Sequence, residues 1–70
     1  MVEKTIELVG ISSNSIEDAV QLAIARAGIT ISGISHVHVE DISAMVEGNQ
    51  IAKWRVVIKV SFLVKDQIHE

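Results

Sequence analysis

Apolar and polar residues alternate in three stretches of the chain and recur at helical spacing in a fourth. Residues 4–9 alternate and are rich in β-branched side chains, which predicts a first strand. Residues 10–14, Gly-Ile-Ser-Ser-Asn, are a small polar break. Ser15 then has the character of a helix N-cap. Asp18, three residues on, is placed to complete a capping-box variant, and Glu17 and Asp18 both suit the positive end of a helix. Behind them Ile16, Ala19, Val20, Ala23, Ile24 and Ala27 fall on one helical stripe. Its many alanines allow a sheet to approach closely. Gly28 is placed to end the helix as a C′ residue, with a short continuation through 29–31 as the alternative.

Residues 34–47 predict a second strand and residues 51–64 a third. Gly48-Asn49 between them has the chemistry of a two-residue hairpin turn. In the third strand Trp54, Val56, Ile58, Val60, Phe62 and Val64 face one way. Arg55, Val57, Lys59, Ser61 and Leu63 face the other. If Glu47 pairs with Gln50, the register follows by stepping back along one strand and forward along the other. Opposed side chains share a face. Val37 and Val39 then lie beside Val60 and Ile58, on the face that can bury the helix. His36, His38 and Glu40 lie beside Ser61, Lys59 and Val57, on the same side as Arg55. Apolar parity in the second strand changes between Val39 and Ile42, so a β-bulge is expected near Asp41. The fold class is α+β: β-α-β-β, a three-stranded antiparallel sheet wrapped on one helix. Trp54, Val56, Ile58, Val60 and Phe62 are expected to pack on Ile16, Val20, Ala23 and Ile24.

One helix covers one face of such a sheet, and the 70 residues leave nothing for the other. The chain therefore reads as a single domain, 1–70. A body this small buries only about 60% of its unfolded surface. Small scaffolds need a staple. With no cysteine, a disulfide is excluded, and the 49% hydrophobic content makes self-association the first expectation. A net charge of −3 argues against a general nucleic-acid binder, which carries a basic patch. No run approaches the roughly 20 apolar residues of a membrane helix, and no secretory signal is visible. A cytoplasmic location is the default expectation.

The segments "KTIELVGISSNSIEDAV", "AVQLAIARA" and "WRVVIKVSFLV" together resemble the dodecin family over nearly the whole chain. The resemblance implies a β-α-β-β subunit in a hollow homododecamer that binds small molecules and does no chemistry. Many dodecins hold flavins inside that shell. In those proteins a tryptophan early in the second strand stacks on the flavin ring, and His36 occupies its place here. A glutamine in the third strand bonds the ring's pyrimidine end, and Arg55 occupies that place. An arginine offers donors only, whereas glutamine offers a donor and an acceptor. The "WRVVIKVSF" ending is similar to a divergent branch that includes a calcium-binding dodecin, which implies a cation as a further ligand class.

Three groups of residues are candidates for the ligand. His36, His38 and Arg55 share a face able to meet a planar or anionic molecule. His36, His38 and Glu40, two apart on a strand, are a candidate set for a transition metal. Asp41 and Glu47, with Asn49 and Gln50 nearby, are hard oxygen donors of the kind calcium takes, although calcium wants six to eight oxygens from several segments. The ordinary alternative for each is a solvated polar face or turn. Lys59 and Arg55 are expected in inter-subunit ion pairs with Glu7, Glu40 or Glu47, and Trp54 in the core. No serine, histidine and acid are spaced as a nucleophilic triad, and no Gly-rich phosphate loop is present, so catalysis is not expected. Two classes remain open. One is a storage shell for flavin, another planar or anionic molecule, or a cation. The other is an oligomer with a structural role alone.

Overall fold

A computed structural model of the protein describes residues 1–64. Its elements are β1 (Val2–Ser12), α1 (Ile16–Ala27), β2 (Ile34–Glu47) and β3 (Gln50–Val64). The sheet has the order β1-β3-β2, with both neighbours antiparallel to the central β3. The expected β-α-β-β architecture is the observed one.

The helix forms where the sequence places it. The Ser15 hydroxyl accepts from the Asp18 backbone N–H at 2.9 Å. Asp18 serves the strand end rather than reaching back to the cap: the buried Ser12 hydroxyl donates to its carboxylate at 2.6 Å. That same hydroxyl accepts from the Asn14 N–H at 2.9 Å. A short polar network thus joins the end of β1 to the first turn of α1. Gly28 is right-handed, at φ −65°, and is not a left-handed C′ residue. The chain continues coiling instead, with the Ile31 N–H donating to the Ala27 carbonyl at 3.0 Å.

Gly10 is part of β1 and not a break. Gly10, Ile11 and Ser12 pair with Val56, Arg55 and Trp54. A side chain at position 10 would overlap the Ala19 carbonyl oxygen, so glycine is what lets the helix backbone rest on the strand. The helix lies on β1 and β3 and leaves β2 largely uncovered. Val56, Ile58 and Val60 are fully buried beneath Ala19 and Ala23, with Ile6, Leu8, Ile16, Val20 and Ile24 around them. Full burial of such side chains is worth about 1.5–3 kcal/mol each.

Trp54 and Phe62 lie on the helix side of the sheet but stay half-buried, outside that cluster. Length explains this correction. The 12-residue helix is about 18 Å long, whereas the 15-residue β3 is about 50 Å long. Only the middle of the strand is covered, and the molecule is 56 Å in its longest dimension.

The hairpin turn has Gly48 at φ 58° and Asn49 at φ 63°, the paired positive values of a type I′ turn. Glu47 pairs with Gln50 as expected. Two irregularities follow. Met45 pairs with Lys53 and Val46 with Ile51, so Ala52 is an extra residue in β3. Val39 pairs with Ile58 and Asp41 with Val57, so Glu40 is an extra residue in β2. The two offsets cancel. The turn-derived register therefore holds for His36, Val37, His38 and Val39, and the bulge falls where apolar parity changed. A third shift, at Ser35, separates Ile34↔Phe62 from His36↔Ser61.

Candidate ligand face

The sheet face opposite the helix is built in rows across three strands. Thr5, Ser61 and His36 form the first row, and Glu7, Lys59 and His38 the second. The third has Val9 and Val57, with Glu40 and Asp41 together opposite Val57 at the bulge. The fourth is Ile11, Arg55 and Ser43. His36, His38, Glu40 and Arg55 thus share one face, as the register predicts.

Within this face the Thr5 and Ser61 hydroxyls lie 3.1 Å apart. The Ser43 hydroxyl donates to the Arg55 carbonyl at 3.4 Å. Glu40 is the centre of the charged contacts. One carboxylate oxygen is 3.1 Å from Nε2 of His38, and the other is 3.7 Å from Nζ of Lys59. His38 and Glu40 are two residues apart on one strand and so leave the same face. All three side chains are well exposed, and such pairs contribute about 0–1 kcal/mol. The expected Lys59 partner is therefore found within one chain. Arg55 has no carboxylate at ion-pair distance among the described residues.

The face does not bring every candidate together. His36 stands opposite Ser61, six residues along β3 from Arg55. That is roughly 20 Å in an extended strand, too far for one small molecule to touch both in a single chain. Asp41 and Glu47 are also six residues apart, again roughly 20 Å, and do not converge. Among the described residues, no three His, Asp or Glu side chains already stand as a metal-ligating group. Trp54 is on the helix side, opposite Ser12 and Ala44, and is no part of this face. Sequence reasoning did not find the Thr5–Ser61 pair or the place of Glu7 opposite Lys59. No turn joins β1 to β3, so nothing in the sequence fixes their register.

A sheet wrapped on one helix, with a mixed polar and apolar second face that no other element among the described residues covers, defines a small β-α-β-β subunit. Comparison with known proteins makes the assignment particular. The Dodecin family profile matches residues 2–65. Dodecin from Thermus thermophilus is 32% identical over 65 residues, covering 93% of this chain and 94% of that one. A Thermus thermophilus crystal structure superposes with a TM-score of 0.89 at 32% identity, over 94% of this chain and 97% of that chain. The calcium dodecin of Mycobacterium tuberculosis, described as calcium-chelating with a novel calcium-binding site, is 27% identical. It superposes with a TM-score of 0.80 over 100% of both chains. The chain belongs to the dodecin family. No helix among the described residues is long and apolar enough to cross a membrane.

Proposed function

We propose that the chain is the subunit of a homododecameric shell that binds and stores a small ligand on the sheet face opposite the helix. The observation that carries this reading is the one-sided cover of the sheet. His36, His38, Lys59, Glu40 and Arg55 line a face on which no other element among the described residues packs. Self-association is supported by the apolar surface left outside the core. Val9, Ile11, Val39, Ile42, Met45, Ile51 and Leu63 are all exposed in one chain. A hollow of about 610 Å³ at the open edge of β1, lined by Ile6, Leu8, Ala27, Ile29 and Ile31 among others, offers a neighbour an apolar seat.

The separation of His36 from Arg55 supports a ligand held between subunits, since a planar molecule meeting both must take them from different chains. The role is binding rather than catalysis. Flavin is a weak ligand in this reading, because an imidazole presents less stacking area than an indole and Arg55 supplies no acceptor. A native mass spectrum of the purified protein, with its absorbance spectrum, tests the proposal. A dodecamer carrying additional mass supports it. A ligand-free dodecamer leaves only the structural class, and a monomer or dimer contradicts the shell.

A further inference from the structure

We propose that His36, His38 and Glu40 form a binding site for a borderline divalent transition metal, of the Zn²⁺ or Cu²⁺ class. This deepens the ligand-face reading and rests on it for the access of a ligand to that face. Three observations carry it. First, His36, Val37, His38 and Val39 pair with β3 in unbroken register between two irregularities of β2. The two imidazoles therefore leave the same face from ladder positions two residues apart, roughly 6.6 Å. Histidine side chains span that gap to a shared ion at the usual metal–nitrogen distance of about 2.0–2.1 Å. Second, Glu40 follows at the bulge with its carboxylate 3.1 Å from Nε2 of His38. Third, both histidines are exposed, so their rings are free to turn toward an ion.

The donor chemistry selects the metal. Two imidazole nitrogens and one carboxylate suit zinc, copper or nickel. Calcium and magnesium take oxygen ligands and gain nothing from the histidines. Lys59 opposes the site. Its ammonium is 3.7 Å from the other oxygen of Glu40 and competes with a cation for that carboxylate. The site thus has an internal antagonist, and this gives it a signature that adventitious metal on a lone surface histidine lacks.

The test is isothermal titration of the full chain with Zn²⁺, and separately with Ca²⁺, near neutral pH, alongside native mass spectra that count subunits and metal ions. Zn²⁺ is expected to bind at least tenfold more tightly than Ca²⁺. His36→Ala and His38→Ala are each expected to weaken Zn²⁺ binding at least tenfold, Glu40→Gln to weaken it several-fold, and Lys59→Gln to tighten it several-fold. His69→Ala, outside the described residues, is expected to leave it unchanged. Zn²⁺ affinity that survives His38→Ala, or falls with His69→Ala, overturns the site. Should a histidine variant fail to fold, the opposite effects of Glu40→Gln and Lys59→Gln decide the matter, and equal affinities in those two variants overturn it. A dodecamer without zinc defeats this inference and spares the shell. Zinc on a monomer does the reverse.

Discussion

Gly10 lies directly beneath the carbonyl group of Ala19. A Cβ built at Gly10 would overlap that oxygen and stand 2.8 Å from the carbonyl carbon. The contact is backbone against backbone, so no rotamer change relieves it. Gly10→Ala is expected to lift the helix from β1 and destabilise the fold by about 1–3 kcal/mol or more. A denaturant midpoint unchanged from the unmodified protein would show that the helix does not rest there.

Ser12 and Asp18 hold the other end of this packing. The Ser12 hydroxyl is buried and makes a 2.6 Å bond to the Asp18 carboxylate while accepting from the Asn14 N–H. Ser12→Ala removes the short bond to that carboxylate, which keeps only the Asn14 side-chain amide at 3.4 Å, and leaves the Asn14 N–H without its acceptor, at about 1–3 kcal/mol. Ser15→Ala removes the cap and is expected to cost about 1 kcal/mol. Both are read from equilibrium unfolding, and Ser12→Ala is expected to be the more damaging.

Ile58 and Phe62 share the helix side of β3 but not its cover. Ile58 has no exposed surface, whereas Phe62 is half-buried. Ile58→Ala is expected to cost about 2–5 kcal/mol. Phe62→Ala in a dissociated subunit is expected to cost less than the roughly 3–5 kcal/mol of a buried aromatic. Unfolding free energies in the reverse order would mean that the helix sits further along the strand.

His36 and Arg55 set the expected flavin affinity. Loss of a stacking partner removes about 0.5–1.5 kcal/mol beyond contact area, and unmatched ring polar groups add about 1–3 kcal/mol. At about 1.4 kcal/mol per tenfold, riboflavin binding is expected to be weaker by roughly one to three powers of ten than with tryptophan and glutamine at these positions. His36→Trp combined with Arg55→Gln is expected to strengthen riboflavin binding, measured by fluorescence quenching. Tight binding by the unmodified protein, or no gain in the double variant, would refute this assignment of the face.

Much of this architecture was legible in the residues. The alternation of β3 and the Gly48-Asn49 turn are local signals, and together they fixed which residues of β2 face the helix. The parity change after Val39 located the bulge. Other features were hidden for physical reasons. The role of Gly10 depends on a carbonyl that sequence separates from it but the fold places above it. The extra Ala52 left no trace because Glu40 compensates it. The exposure of Trp54 and Phe62 follows from comparing the lengths of two elements, not from the polarity of either. The site was legible as a face but not as a set of distances. Placing His36, His38 and Arg55 on one side was possible from parity. Their roughly 20 Å spread follows from the register, whereas the 3.1 Å contact of Glu40 with His38 is seen only in the folded chain.

The central claim is that a sheet with one face left bare by its own helix closes into a shell. A native mass spectrum at micromolar protein tests it most directly. The account predicts one dominant species with the mass of a dodecamer. A spectrum dominated by monomer or dimer would contradict it.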